Sequence, residues 1–239
     1  MKPRVAFMNH SPLMKDADLA RIVRALQIQV TRDFAPIWGV DAELLFNPKW
    51  AQAPPGAWQI VLLDTSDVAD DLGYHDETDE GLPLGKVFVK SDLDAGSSVS
   101  ATVSHELLEM LADPDVNGVH WIERPKGEPI LYAVEVCDPV EADQYGYEID
   151  GVLVSDFVTP AYFETFHKYN SVQFDFRRHL TRPLEILADG YMSVCSVRTG
   201  ARWREVTSSF RDLPAERAGQ RGSRRERRRN RSRFAGCEV

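Results

Sequence analysis

Short apolar runs and one long helical period alternate along the first half of the chain. PRVAFMN (3–9) reads as a strand. From Asp18 onward Leu19, Ile22, Val23, Leu26, Val30 and Phe34 recur at spacings of three or four, which predicts a helix that Pro36 closes near its end. AELLF (42–46) is a second strand, QAPPGA a loop, and WQIVLLD (58–64) a third, buried strand. KVFVK (86–90) is a fourth, short enough to be an edge. Between the last two, SDVADDLGYHDETDEGLPLG reads as a polar loop, of a length that often accompanies function. No internal repeat is visible.

A second helix is punctuated at both ends. SSVSATVSHELLEMLADP (97–114) opens on serines suited to an N-cap and stops at Pro114. Val103, Leu107, Met110 and Leu111 share one face. At roughly 100° per residue, His105 and Glu109 lie about 40° apart on the opposite face, with Glu106 beside them. The pattern His105-Glu106-Leu107-Leu108-Glu109 is one residue away from HExxH. Its spacing brings an imidazole nitrogen and a carboxylate oxygen within reach of one ion, and leaves Glu106 placed to take a proton from water. His and Glu four apart also occur by chance on exposed helices, so the rest of the chain has to carry part of the argument.

Downstream come HWIE (120–123), a turn at PKGEP and LYAVEVCDPVE (131–141). Glu135, Asp138 and Glu141 cluster where the apolar pattern marks a strand end. A carboxylate in a partly buried strand needs a positive partner or a metal. Glu135 and Asp138 have opposite parity, so a regular strand points them to opposite faces, one as ligand and the other as its hydrogen-bonding support. YGYEIDGVLVSDFVTPAYF reads as a hairpin turning at Asp150-Gly151, with VLVSDFV running to Pro160. DGYMSV (189–194) reads as a turn into a late strand, in which Met192 matches the Met-turn beneath some zinc sites too weakly to use.

Other polar residues read more plainly. His75, in GYHDETDE, is either a contributor to the site or a solvated loop histidine, and its acidic surroundings favour the second. His120 and His167 sit beside aromatics and read as packing residues, and His179 lies in a basic loop without a motif. Tyr145, Tyr147 and Tyr191 are half-buried tyrosines before they are oxyanion donors. Asp113 either orients a ligand or shapes the turn before Pro114.

The chain's net charge of -9 is uneven. Residues 201–239 hold 12 arginines and 5 acidic residues, leaving 16 basic and 32 acidic residues in 1–200. An acidic body argues against a nucleic-acid-binding globular domain. The tail, with AGQRGSRRERRRNRSRF, lacks apolar periodicity and reads as disordered, a solvated extension or an electrostatic arm for nucleic acid. No apolar run of about 18 residues predicts a membrane span. The start, MKPRVAFMNHSPLM, lacks the apolar stretch of a signal peptide. Cys137, Cys195 and Cys237 fit neither a disulfide framework nor an all-cysteine zinc site, so a cytoplasmic setting is expected.

SHELLEMLADP followed by EVCDPVEA, with GYHD and KVFV upstream, resembles a family of bacterial and phage zincin-like metallopeptidases over most of residues 1–200. More distantly, HELLEMLADPDVN with EVCD resembles the secreted Exordium, or phosphate-induced, proteins of plants. The resemblance implies an α+β, zincin-like domain over 1–205 followed by the Arg-rich tail at 206–239. It implies a twisted mixed sheet, a backing helix, and an active-site helix below an edge strand, a role that KVFVK would fill. It implies one zinc ion on His105 and Glu109, a third ligand from Glu135 or Asp138, and Glu106 as general base. A carboxylate in place of the second histidine adds negative charge and makes the metal a weaker Lewis acid. Two functions follow: a zinc-dependent peptidase or related amide hydrolase acting on a peptide or protein, or a non-catalytic, metal-stabilised binding or structural protein on the same scaffold, suited to a phage.

Overall fold

The computed structural model describes residues 2–66, 72–123, 127–197 and 202–208. The first half alternates strands and helices: β1 (Arg4–Asn9), α1 (Asp16–Ile28), a π-helical turn (Gln29–Phe34), α2 (Ala35–Trp38), β2 (Glu43–Asn47), β3 (Trp58–Leu63), β4 (Gly73–Glu77), β5 (Pro83–Phe88), α3 (Val89–Ala95) and α4 (Val99–Ala112). Then come β6 (Val119–Ile122), β7 (Ile130–Ala133), β8 (Tyr147–Ile149), β9 (Val152–Val154), β10 (Tyr191–Ser196) and β11 (Trp203–Thr207). Among the described residues the fold is mixed α+β with three sheets. A five-stranded sheet runs β2-β1-β3-β5-β4, parallel except for the antiparallel β4 at its edge. A four-stranded antiparallel sheet runs β11-β10-β7-β6, and β8-β9 form a hairpin. Among the described residues no helix is long and apolar enough to cross a membrane.

Strand alternation sorts the large sheet into two faces. Val5 and Phe7 of β1 join Ile60 and Leu62 of β3 in the main core, while Ala6 and Met8 face a smaller cluster with Ala57. On the main face α1 lies against β1 and β2, α4 lies against β3, β4 and β5, and β9 touches both helices. Leu19, Ile22, Val23 and Leu26 form the buried stripe of α1. Below Leu26 the apolar positions step by four, to Val30 and Phe34, which drifts round a 3.6-residue helix by about 40° per step. The π turn absorbs that drift, and both side chains are fully buried. The helix therefore outlasts its predicted stop: Pro36 sits in the first turn of α2, and Gly39 ends it at φ 74°.

Three expectations are corrected. KVFVK is not the edge. Its residues divide between β5, which pairs on both sides, and the start of α3. The expected polar loop contains β4, which pairs with β5 and takes the edge. VLVSDFV forms a strand only to Val154, followed by a single bridge from Val158 to Asp175. The turn at Asp150-Gly151 forms as expected, with φ of 50° and 72°, the sign required at both central positions of a type I′ turn. The Arg-rich tail beyond Ser208 lies outside the described residues, as does Cys237.

A buried polar chain fixes α4 one residue before its histidine. Ser104 Oγ donates to Gln29 Oε1 at 2.8 Å and accepts from Ser155 N at 2.9 Å, while Gln29 Nε2 donates to Ser155 O at 2.9 Å. The π turn, α4 and the chain after β9 are thereby held at one point. Ser104→Ala leaves a buried amide oxygen and a buried N–H without their partner. We expect a loss of about 1–3 kcal/mol in urea unfolding; an unchanged midpoint would show that the three elements are held by packing alone.

Candidate metal centre

The approach of α4 to the sheet edge depends on two glycines. A Cβ on Gly73 would stand 2.7 Å from Glu106 Oε1 and 3.0 Å from Lys86 O. One on Gly85 would stand 2.4 Å from Ile60 Cδ1 and 3.6 Å from Glu106 Cβ. Gly85 is the partner of His75 across the β4–β5 ladder. Gly73 and His75, two apart, share the face of β4 turned toward α4. Tyr74, between them, packs on Phe88 and under the Lys86 ammonium.

Helix α4 begins as the sequence predicts. Ser98 caps it by accepting from Ala101 N, and Asp113 follows its last residue. Its polar face meets protein, not water: His105, Glu106 and Glu109 are all fully buried. Asp113 shapes the turn, accepting from Asn117 N and Gly118 N at 3.1 and 2.8 Å. After β6 and β7 the chain brings Glu135, Cys137 and Asp138 to the same place. Strand β7 ends at Ala133 and a 3-10 turn covers Asp138–Val140, so the parity argument fails. Glu135 and Asp138 are both fully buried and both face the α4 cluster.

Six ionisable side chains meet there. His105 Nε2 lies 3.2 Å from Glu109 Oε1 and 3.2 Å from Asp138 Oδ1. His75 Nδ1 lies 3.5 Å from Glu109 Oε2 and 3.8 Å from Glu106 Oε2, and its Nε2 lies 3.7 Å from Glu135 Oε2. Glu109 Oε1 also accepts from Cys137 N at 3.2 Å. Among the described residues, the cations within ion-pairing distance of Glu106, Glu109 and Asp138 are these two histidines. Both oxygens of Glu106 and Asp138, and Oε2 of Glu109, are buried without a hydrogen-bond partner. So many unsatisfied buried acceptors are costly in a protein interior and are relieved by a cation. The donor set fits one: His105, Glu109 and Cys137 can each bring an atom within 4.8 Å of the others, and so can His75, Glu109 and Glu135.

The electrostatics follow from burial and mutual repulsion. Burial pushes the Glu106 carboxyl up to about 8, with His75 opposing and Glu109 and Glu135 adding to the rise. Burial, then Glu109 and Glu135, hold Asp138 well above the carboxylate range. Burial also raises Glu109, but the two histidines outweigh it and hold Glu109 below the usual value. Burial disfavours the charged His75 imidazole, yet Glu106, Glu109 and Glu135 keep its pKa well above normal. Burial keeps Cys137 a thiol.

His75 is the residue the sequence reading missed: it is buried on a strand, not solvated in a loop. The other aromatic and imidazole groups lie elsewhere. His120 stacks on Phe163 at 4.2 Å, and His167 pairs with Glu164 and packs on Phe166 and Phe174. Tyr147 donates to Asp33, and Tyr145 meets the edge of His179. Met192 and Tyr191 are buried in β10. His179 joins Asp156 and Asp175 in a second acidic group, whose carboxylates accept the backbone N–H of Phe157, Arg177, His179 and Leu180 and so serve to tie loops together.

A cavity of about 740 Å³ opens beside β7, lined by Ile122, Tyr132, Arg182, Leu184, Glu185 and Ile186 among others. Its size suits a small ligand or a few side chains. The buried Tyr162 hydroxyl has no hydrogen-bond partner, and its pKa is raised by burial and then by Tyr132, Asp138 and Glu185. Its electrostatic neighbours thus include both the cavity wall and the six-residue cluster. Compared with models of known families, with curated proteins and with solved structures, the chain matches none of them.

Proposed function

We propose that the chain is a metal-dependent hydrolase of zincin type, acting on a peptide or related amide bond. His105, Glu109 and Asp138 would hold a zinc ion, and Glu106 would be the general base. The observation that carries this reading is the convergence of two carboxylate oxygens on His105 Nε2, each at 3.2 Å. Two donors bound to one tetrahedral zinc at about 2.0–2.2 Å stand roughly 3.4 Å apart, so the spacing suits a shared ion. Asp138 is preferred to Glu135 as third ligand because Glu135 faces His75; Cys137, which also comes within 4.8 Å of His105 and Glu109, is the alternative. A mixed sheet with an antiparallel edge strand over the motif helix, and α1 on the same sheet, supports the zincin reading of the fold.

Zinc held there would supply Lewis acidity to a scissile carbonyl and to the attacking water. Glu106 would take the water's proton and pass it to the leaving amine. The Cys137 N–H fixes the orientation of Glu109.

One observation favours a second reading, a metal-stabilised binding or structural protein without turnover. Every member of the cluster is closed to solvent, and a substrate carbonyl reaches it only if part of the surrounding chain moves. The test is elemental analysis of protein purified without added metal, then peptide hydrolysis with and without chelator. His105→Ala should lose the zinc ion held on His105, Glu109 and Asp138, since no second histidine stands in the motif to compensate. Full occupancy in that variant would sink the proposed site, and metal without turnover on a broad peptide library would favour the second reading.

A further inference from the structure

We propose that the buried cluster is built for two divalent cations sharing Glu109: one on His105, Glu109 and Asp138, the second on His75, Glu109 and Glu135. This rests on the metal-centre reading above and extends it by one ion and two ligands. The first argument is the placement of Glu109. Its Oε1 faces His105 Nε2 at 3.2 Å and its Oε2 faces His75 Nδ1 at 3.5 Å. A carboxylate that presents one oxygen to each of two imidazoles is arranged to bridge, and bridged ions in two-metal hydrolytic sites stand about 3.5–4 Å apart.

The second argument is His75 itself. A single ion on His105, Glu109 and Asp138 already has the three protein ligands of an open catalytic site. That leaves His75 with no task, although both its ring nitrogens are fully buried and make no hydrogen bond. Coordination through one nitrogen leaves the other N–H to a carboxylate, the usual support of a metal-bound histidine. Glu106, 3.8 Å from Nδ1 and not among the proposed ligands, is placed to give that support while Nε2 turns to the ion. His75, Glu109 and Glu135 can each bring a ligand atom within 4.8 Å of the other two.

The third argument is charge. Glu106, Glu109, Glu135 and Asp138 are all fully buried. With both imidazoles neutral, as coordination requires, one divalent ion offsets two of those four carboxylates and two ions offset all four, in a place where an uncompensated charge is strongly unfavourable. Imidazole and carboxylate donors suit zinc and manganese alike, so manganese can serve as a spectroscopic probe.

The experiment uses the full chain, stripped by chelator and titrated with Mn(II). Bound ions are counted by equilibrium dialysis and their coupling is read by low-temperature electron paramagnetic resonance. The wild type should take up two ions per chain with a spin-coupled signal. His75→Ala should take up one, with the uncoupled six-line signal of an isolated ion. A wild-type count of one overturns the second site and leaves the metal-centre reading standing; His75 is then only a charged partner of the carboxylates. A count of zero overturns both. Two uncoupled ions, still two in His75→Ala, would place the second ion elsewhere, as on Asp156, Asp175 and His179, and would also overturn it. Should His75→Ala fail to fold, the wild-type count and coupling decide alone.

Discussion

Glu106→Gln is expected to keep its metal and to lose hydrolysis by about 10²–10⁴-fold, the usual contribution of a positioned general base. The substitution preserves shape and removes only the proton acceptor. In the metal-free protein burial is the leading influence on this carboxyl and raises it to about 8. Glu106 is not among the proposed ligands, so metal content should stay at the wild-type value. The fold should tolerate the change, since a buried carboxyl without hydrogen bonds is itself unfavourable. Metal content by elemental analysis and turnover on a peptide library are measured on the same preparation. Wild-type turnover would remove Glu106 from its role. Lost metal together with lost turnover would make it a ligand instead.

The parts of this arrangement that the sequence discloses are those set by local rules. Ser98 and Pro114 bound α4 because a side-chain cap and a missing N–H act within one turn. The β8–β9 turn is legible because Asp150-Gly151 tolerates positive φ. Strand β1 appears as an apolar run because both of its faces are covered. His105, Glu106 and Glu109 are legible as a group because helical spacing alone brings them together.

His75 is not legible, because its place depends on partners far along the chain. GYHDE is short, acidic and flanked by polar residues, and it becomes a strand only by pairing with β5. It then lies over α4 only because Gly73 leaves room for Glu106 and Gly85 for Ile60. The one local signal was Gly73 two residues before an isolated histidine, since glycine in a strand often marks close approach of another element. Glu135 and Asp138 were misread for a different reason. Parity holds only while a strand continues, and β7 stops two residues before Glu135. The burial of the polar face of α4 was also hidden, since spacing assigns faces but not what covers them.

Removing the metal should destabilise the protein by an amount that grows with pH. Glu106, Asp138 and His75 all have folded-state pKa values above their ordinary ones. A group raised on folding holds its proton in the folded chain after the unfolded chain has lost it. Its contribution is therefore complete below the unfolded pKa and disappears as pH rises through the folded one. For Glu106 that window runs from 4.5 to about 8. Glu109 is lowered, so its opposite effect falls in the acid range and does not compensate here. The chelated protein should thus lose several kcal/mol between about pH 5 and pH 8, roughly 10 °C of thermal midpoint for a chain of this size. Metal acts in the other direction. Its carboxylate and imidazole ligands must be deprotonated to bind, so affinity strengthens as pH rises, and binding to the folded chain alone adds directly to its stability. The gap between metal-loaded and chelated midpoints, followed by calorimetry across this range, should widen steadily toward alkaline pH. A gap that stays constant or narrows would mean that these three groups are not what the metal relieves.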